Sequence, residues 1–288
     1  MQNAMAEFGV EIDPAGDLIR RLFEDGSVVV LTGAGLSTSS GIPDYRDGDG
    51  QWKRAKPIDH HDFLRSESTR RRYWARSFVG WPTIASASPS RGHRALAQLE
   101  GLGRIALIIT QNVDGLHQKA GARCVLELHG GLERVTCLDC HRTFGRASVQ
   151  TWMSEANPGF NSDAALVAPD GDAQIAERLH ADFRIPACCS CGGMLKPDVV
   201  FFGDSVPRDR VKAGMDAIAA ARGLLVVGSS LMVYSGFRFA EHAHRLGKPV
   251  MAINLGRTRA DPLLHAKVQE DCDQFLHTLQ KRAEEFYI

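Results

Sequence analysis

Four cysteines are the residues whose spacing most directly specifies chemistry in this chain. Cys137 and Cys140 form one Cys-x-x-Cys pair, and Cys188 and Cys191 form a second. Two such pairs can supply four thiolates to one tetrahedral Zn²⁺, and four protein ligands leave no open position for a reacting water. The spacing therefore predicts a structural zinc ion rather than a catalytic one. Cys189 does not have the spacing of either pair, and we leave it outside the ligand set.

A second chemistry-bearing segment runs from Val28 to Arg46, with the sequence VVVLTGAGLSTSSGIPDYR. Its apolar start predicts a buried strand that ends at Gly33 and Gly35. Glycine after a strand lets backbone N–H groups approach an anion closely, and an arginine such as Arg46 can cover a phosphate. Gly33-x-Gly35 alone lacks the third glycine of a dinucleotide-binding fingerprint and is equally compatible with an ordinary strand–helix turn.

Further polar segments also follow short apolar runs. They are Thr110-Gln111-Asn112-Val113-Asp114, Leu128-His129-Gly130, Gly228-Ser229-Ser230 and Asn254-Leu255-Gly256. Apolar runs that alternate with helical stretches, such as 94–100 and 208–221, indicate a parallel sheet covered on both faces. Ligands of such sheets bind at the carboxyl ends of the strands, where these segments lie. The placement predicts a nucleotide site.

Two stretches interrupt this alternation. Residues 51–89 are rich in Arg, Trp, Tyr and Ser and predict a helical insertion, whereas 133–198 holds the cysteine pairs. We therefore expect an α/β fold with a doubly wound, parallel-sheet, Rossmann-like large domain (1–132 and 199–288) and an inserted small zinc-binding lobe (133–198). The Gly-, Pro- and Asp-rich middle of that lobe, 157–172, predicts a loop.

Taken together, these segments resemble the motifs of the sirtuins, the NAD-dependent protein-lysine deacylases, in the family's order and over nearly the whole chain. The resemblance implies NAD as co-substrate, one structural zinc ion, and acyl-lysine proteins or peptides as substrates. The segments 48–52 (GDGQW) and 195–204 (LKPDVVFFGD) are most similar to the class II branch, which contains the mitochondrial lipoamidase-like member and bacterial homologues.

The resemblance also implies a mechanism and a set of site residues. The acyl-lysine carbonyl oxygen attacks C1′ of the nicotinamide ribose, nicotinamide leaves, and His129 deprotonates a ribose hydroxyl, with Asn112 as a second catalytic residue. An unperturbed histidine pKa of about 6.5 suits such a base. Val200 and Phe202 would line an acyl tunnel opposite Val233, in a segment able to pair with a peptide as an added strand. The implied cofactor-binding residues are Gly33, Ala34, Gly35, Ser37, Asp44, Tyr45, Arg46, Gln111, Asn112, Val113, Asp114, Gly228, Ser229, Ser230, Asn254, Leu255, Gly256 and Cys272.

Bulk composition excludes other classes of protein. Lys+Arg and Asp+Glu both count 34, so the formal net charge of zero argues against nucleic-acid and acidic-membrane binding. No apolar run reaches the length of a transmembrane helix. Paired cysteines of metal-ligand spacing are typical of a reducing compartment, and we expect a cytoplasmic protein.

The sequence alone leaves several alternative functions open. The chain could be a protein mono-ADP-ribosyltransferase, or an NAD-sensing protein without turnover. The acyl preference is also open, because Lys53 and Arg54 could meet an acidic acyl end or be ordinary surface charges. The Tyr-x-x-Arg of the succinyl-reading sirtuins is absent from this region, where the sequence is Gln51-Trp52-Lys53-Arg54.

Overall fold

The computed structural model describes residues 14–24, 26–53, 57–160, 167–173, 175 and 180–285. The strands are β1 (Val28–Thr32), β2 (Ile105–Thr110), β3 (Val125–Glu127), β4 (Gly130–Cys137), β5 (Thr143–Gly145), β6 (Leu195–Val199), β7 (Leu224–Val227), β8 (Val250–Ile253) and β9 (Ala266–Val268). The helices are α1 (Pro14–Glu24), α2 (His60–Arg65), α3 (Glu67–Ser86), α4 (Arg91–Gly101), α5 (Leu116–Lys119), α6 (Arg146–Ala156), α7 (Arg208–Ala220), α8 (Tyr234–Arg245) and α9 (Cys272–Glu285), with 3₁₀ turns at Ala34–Ser40 and Asp261–Leu263. Within this described part of the chain, no helix is both long and apolar enough to cross a bilayer.

The larger sheet has six parallel strands in the order β3-β2-β1-β7-β8-β9. The chain therefore adds β2 and then β3 on one side of β1. It then returns to the other side of β1 and adds β7, β8 and β9 in turn. This reversal of strand order makes the β1/β7 boundary a topological switch point, where open α/β sheets bind ligands.

Residues of β1 show why this sheet is covered on both faces. Val28 and Val30 pack into one core with α1, α4 and α9, whereas Val29 and Leu31 pack into another with α7 and α8. Successive strand side chains point to opposite faces, so a strand with every residue buried needs helices on both sides. The predicted doubly wound, Rossmann-like α/β class is confirmed.

A second, smaller sheet is antiparallel, in the order β5-β4-β6. It packs with α6 and with aromatic residues of α3 in a separate apolar core that includes Trp74 and Phe183. Segment 167–173 forms a tight hairpin, closed by the bridge between Val167 and Ala173, inside the stretch expected to be loop. Its turn packs on α3, where the Gly171 carbonyl oxygen lies 2.1 Å from the position a Cβ on Gly80 would occupy.

The two sheets meet immediately after His129. Gly130 has φ +81°, and a Cβ at that position would lie 1.9 Å from the Asp198 carbonyl oxygen, so only glycine fits the junction. Arg134 on β4 bonds to Glu127 on β3 through Nη2 at 2.6 Å and to Asp198 on β6 through Nε at 2.9 Å. One arginine thus ties the small sheet to the edge of the large one.

Candidate active site

A cavity of about 820 Å³ lies at the carboxyl ends of β1, β2, β7 and β8. Its walls include every residue that the sequence predicted for the cofactor, the base and the acyl tunnel. These residues come from segments as far apart in the chain as Gly33 and Cys272, and the parallel strands bring them to one edge of the sheet.

The loops after β1 and β7 are in direct contact at the switch point. The N–H groups of Gly33 and Gly35 donate to the carbonyl oxygens of Val227 and Gly228, at 3.0 and 2.9 Å. A Cβ on Gly33 would lie 2.7 Å from the Cβ of Ser229. Both N–H groups are therefore used between the loops, and the glycines are needed for close packing.

Asn112 is part of a polar chain behind the loop after β1. Its Nδ2 donates to the Gly33 carbonyl oxygen at 3.1 Å and to Ser37 Oγ at 3.0 Å. The Ser37 hydroxyl donates to Asp114 Oδ2 at 2.8 Å, and Asp114 Oδ1 accepts the Leu116 N–H at 2.9 Å. Because Ser37 and Asp114 are buried, these bonds hold the Asn112 side chain in one orientation beside the cavity.

The ring of His129 is fixed in one tautomer by its partners. Nδ1 lies 2.9 Å from the Gln111 carbonyl oxygen, which can only accept, so Nδ1 carries the hydrogen. Nε2 therefore holds a lone pair, and it lies 2.8 Å from Ser235 Oγ, which donates to it. Gln111 is itself anchored, because its Nε2 donates to Ser229 Oγ at 2.7 Å.

Burial lowers the pKa of His129 below its ordinary value, and the nearby charges of Arg210 and Arg238 act in the same direction. The hydrogen bond to the Gln111 carbonyl opposes this shift because it favours the protonated ring. The net lowering keeps the imidazole neutral near pH 7. A neutral ring with a lone pair on the cavity side is the form that a general base requires.

The far end of the cavity is built by the loop after β8. Asn254 Nδ2 donates to the Gly256 carbonyl oxygen at 2.8 Å, and the Arg257 N–H donates to the Gly48 carbonyl oxygen at 2.8 Å. The buried Cys272 thiol donates to the Ile253 carbonyl oxygen at 3.6 Å, and burial raises its pKa to about 12. Cys272 is therefore a neutral wall residue rather than a reactive thiolate.

Arg46 is held by its own loop. Its Nη1 donates to the Gly50 carbonyl oxygen at 2.7 Å, and its guanidinium carbon lies 4.1 Å above the centre of the Trp52 ring. Burial lowers the pKa of Arg46 from its ordinary value. Lys53 forms an exposed ion pair with Asp44, and Arg54 lies outside the described residues.

The predicted acyl wall follows directly after β6. The Val200 N–H donates to the His129 carbonyl oxygen at 2.9 Å, so this wall is joined directly to the His129 backbone. The Phe202 ring meets Trp52 edge-on, with centroids 5.5 Å apart, and Phe202 forms a bridge with Asp59. Val233, the residue before α8, lines the same cavity.

Several wall residues were missed by the sequence reasoning, namely Trp52, Tyr73, Asp170, Asp172 and Ser235. Asp170 and Asp172 come from the hairpin at 167–173. The Asp172 carboxylate lies 2.7 Å from Arg76 Nε, but that N–H donates to the Ala173 carbonyl oxygen. Burial, with the charge of Asp170, raises the pKa of Asp172 to about 7. The run Pro-Asp-Gly-Asp signals a turn, but nothing in the sequence says where that turn packs.

The four predicted zinc ligands converge away from this cavity. Their Sγ atoms all lie within 4.8 Å of one another, with 3.5 Å between Cys137 and Cys191 and 3.8 Å between Cys140 and Cys188. Tetrahedral Zn²⁺ with Zn–S bonds of about 2.3 Å places its sulfurs roughly 3.8 Å apart, so the residues present fit the ion. Disulfide sulfurs would be about 2.05 Å apart. Cys189 is exposed and outside the cluster.

The place of the cavity indicates a nucleotide-binding protein, because open α/β sheets bind such ligands at their switch point. The neutral ring of His129, after the edge strand β3, adds a group that can act as a base in the same cavity. A family model described as the Sir2 family matches residues 33–235, and the chain belongs to that family. Its assignment to the class II branch stays a prediction.

Curated relatives and solved structures are similar over most of the chain. An "NAD-dependent protein deacetylase" of Xanthomonas campestris pv. campestris (strain 8004) is 50% identical over 98% of this chain and 94% of its own length. "NAD-dependent protein deacetylase 2" of Bradyrhizobium diazoefficiens is 52% identical over 86% of this chain and 90% of its own. A structure described as "Sir2-p53 peptide-NAD+" has a TM-score of 0.74 and 29% identity, and covers 93% of this chain and 98% of that one.

Proposed function

We propose that this chain is an NAD-dependent protein-lysine deacylase, which transfers the acyl group of an acyl-lysine to ADP-ribose and releases nicotinamide. The observation that carries the proposal is the state of His129: a neutral ring with its Nε2 lone pair on the wall of the cavity. Membership of the Sir2 family and relatives named NAD-dependent protein deacetylases support the same reaction.

In this proposal the cavity has a cofactor half and an acyl half. The cofactor half consists of the residues contributed by the loops after β1, β2, β7 and β8, with Cys272 at the start of α9; we assign NAD to it. The acyl half consists of Trp52, Tyr73, Asp170, Asp172, residues 199–202 and, from the end of the loop after β7, Val233. His129 lies between them, since its ring bonds to Gln111 while its carbonyl oxygen accepts from Val200.

The chain's own residues supply binding, orientation and one proton transfer. NAD, when bound, supplies the ribose carbon that is attacked and the nicotinamide leaving group. Asn112, oriented by Ser37, positions the ribose, and residues 199–202 offer an extended edge to a peptide. His129 Nε2 accepts the proton of a ribose hydroxyl as that oxygen bonds to the acyl carbon, and Nδ1–H keeps its bond to Gln111. The zinc ion stabilises the small sheet and takes no part in the reaction.

The test is NAD-dependent turnover on one peptide that carries different acyl-lysines, from acetyl and succinyl to lipoyl and long-chain groups. Mass spectrometry would follow O-acyl-ADP-ribose and nicotinamide together. We expect both products in equal amounts, and a loss of at least ~10²-fold in rate for His129→Tyr with NAD binding retained. Nicotinamide release with ADP-ribose added to protein would instead indicate an ADP-ribosyltransferase. No turnover by a zinc-loaded, NAD-binding sample would indicate an NAD-sensing protein.

We also propose the cytoplasm as the compartment of this protein. Four cysteine side chains stand close together without a disulfide, and thiolate ligands of a structural metal persist where thiols are kept reduced.

A further inference from the structure

The hydroxyl of Ser235 is the one cavity-wall contact to Nε2 of His129 that the described residues make, at 2.8 Å. Ser235 lies in the first turn of α8, whose N-cap residue is Val233, and its hydroxyl bonds to the His129 ring. The hydroxyl is therefore directed at the base rather than at the backbone of its own helix. A hydroxyl in contact with the atom that must accept a proton can affect both the position of the ring and its protonation.

A second observation shows that the start of α8 is fixed against the base. A Cβ on Gly236 would lie 2.4 Å from Gln111 Oε1, so the backbone beside Ser235 packs directly on the Gln111 side chain. Gln111 in turn accepts the Nδ1–H of His129 through its carbonyl oxygen. The imidazole ring is thus held from both nitrogens by two segments that are packed on each other.

We propose that Ser235 is a positioning residue for His129: its hydroxyl holds the Nε2 lone pair toward the cavity and then turns to accept the new Nε2–H. This inference rests on the proposed function. A serine hydroxyl can donate to the neutral ring and accept from the protonated one, so the contact is made before and after the step. During the step the hydroxyl releases the single Nε2 lone pair to the ribose O–H. The ribose O–H bond breaks, the Nε2–H bond forms, and the electron pair stays on the ribose oxygen that attacks the acyl carbon.

The protonated ring gains more from this contact than the neutral ring does. A hydrogen bond from a charged donor is roughly twice as strong as one between neutral groups. Removal of the hydroxyl should therefore disfavour the imidazolium, which lowers the pKa of His129 and slows the step in which the imidazolium forms. Nicotinamide release precedes that step, and it should be unaffected.

The experiment compares the wild-type chain with Ser235→Ala, Ser235→Thr and the control Ser86→Ala, an exposed serine near the end of α3. We expect Ser235→Ala to lower kcat for acyl transfer about tenfold, as expected when a hydrogen bond to a charged group is lost. Exchange of labelled nicotinamide into NAD should stay at the wild-type rate. The acid limb of the kcat/KM profile should move to lower pH, and Ser235→Thr should restore both properties.

A second readout does not depend on turnover. NMR titration of the His129 imidazole should give a lower pKa in Ser235→Ala than in the wild-type chain, with no shift in Ser86→Ala. The proposal is overturned if kcat and the His129 titration are unchanged in Ser235→Ala. A parallel loss of exchange, acyl transfer and melting temperature would also overturn it, because the serine would then serve only the fold. A wild-type chain without turnover would contradict the proposed function, and the titration would still decide whether Ser235 acts on His129.

Discussion

The two halves of the cavity are constructed in different ways. In the cofactor half, polar side chains such as Asn112, Ser37 and Gln111 are fixed by hydrogen bonds to the loops that follow the central strands. In the acyl half, aromatic rings meet edge to face, as Trp52 meets Phe202, and a hairpin contributes two carboxylates. One half is part of the large sheet, whereas the other is assembled from the two insertions and the segment after β6.

This difference separates two properties of the proposed enzyme. The hydrogen-bonded half has one arrangement and should set whether NAD is used at all, because its polar groups have little freedom to rearrange. The aromatic half makes packing contacts, which accommodate changes of shape more readily than fixed hydrogen bonds do. Changes in the first half should therefore affect every acyl chain equally, and changes in the second should alter the order of preference.

Removal of the zinc ion should produce the largest difference between the two halves of the cavity. The hairpin at 167–173 and β6 belong to the segment between the cysteine pairs or adjoin it, whereas the strand-end loops do not. A structural zinc contributes roughly 10–16 kcal/mol of apparent binding free energy, so Cys188→Ser should unfold the small sheet and abolish turnover. Calorimetry should still detect NAD binding within a few-fold of the wild-type affinity. Cys189→Ser is the matched control, since that thiol is exposed and outside the cluster. Loss of NAD binding in Cys188→Ser would show that the two halves of the cavity fold as one cooperative unit.

Asn112→Ala should produce the next largest effect, confined to the cofactor half. The substitution removes both bonds from Nδ2, to Gly33 and to Ser37, and misplaces the ribose relative to His129. We expect kcat/KM to fall by on the order of 10²-fold, by the same factor for every acyl chain in the panel. Ser37→Ala, which keeps the Asn112 bond to Gly33, should cost less. A fall that differs widely between acetyl and long-chain substrates would contradict the separation of the halves.

Trp52 offers a sharper test because it contacts both halves. Its ring lies beneath the Arg46 guanidinium on one side and meets Phe202 on the other. Trp52→Ala should enlarge the acyl half and shift the ratio of long-chain to acetyl kcat/KM about threefold to tenfold, the usual worth of an aromatic contact. Trp52→Phe keeps an aromatic face and should shift that ratio less. An equal loss for all acyl chains would instead assign Trp52 to the cofactor half, through Arg46.

The difference between the two halves of the cavity also explains which site residues could be predicted from the sequence. The strand-end segments of the large sheet could be placed because strand periodicity and glycine turns are local signals, and parallel strands necessarily align their ends. Trp52, Tyr73 and Asp172 were missed because insertions pack through long-range contacts that have no local signature. Ser235 was missed for a different reason: the expected role of the segment that begins at Gly228 was cofactor binding, and the direction of one hydroxyl depends on the first turn of α8.

Asp172 provides the smallest and most local test of the acyl half. Its pKa in the folded protein is raised to about 7, first by burial and then by Asp170, with Arg76 and Arg72 opposing. An unfolded aspartate has a pKa of about 3.9, so between pH 4 and pH 7 the folded state binds more protons and stability falls as pH rises. Asp172→Asn removes this pH-dependent contribution to the free energy of unfolding. We expect urea unfolding to show a smaller loss of stability from pH 5 to pH 8 than in the wild type, by on the order of 1 kcal/mol. Asp216→Asn changes an exposed carboxylate and should leave the pH dependence intact; identical curves for wild type and Asp172→Asn would mean that Arg76 fully compensates the buried charge.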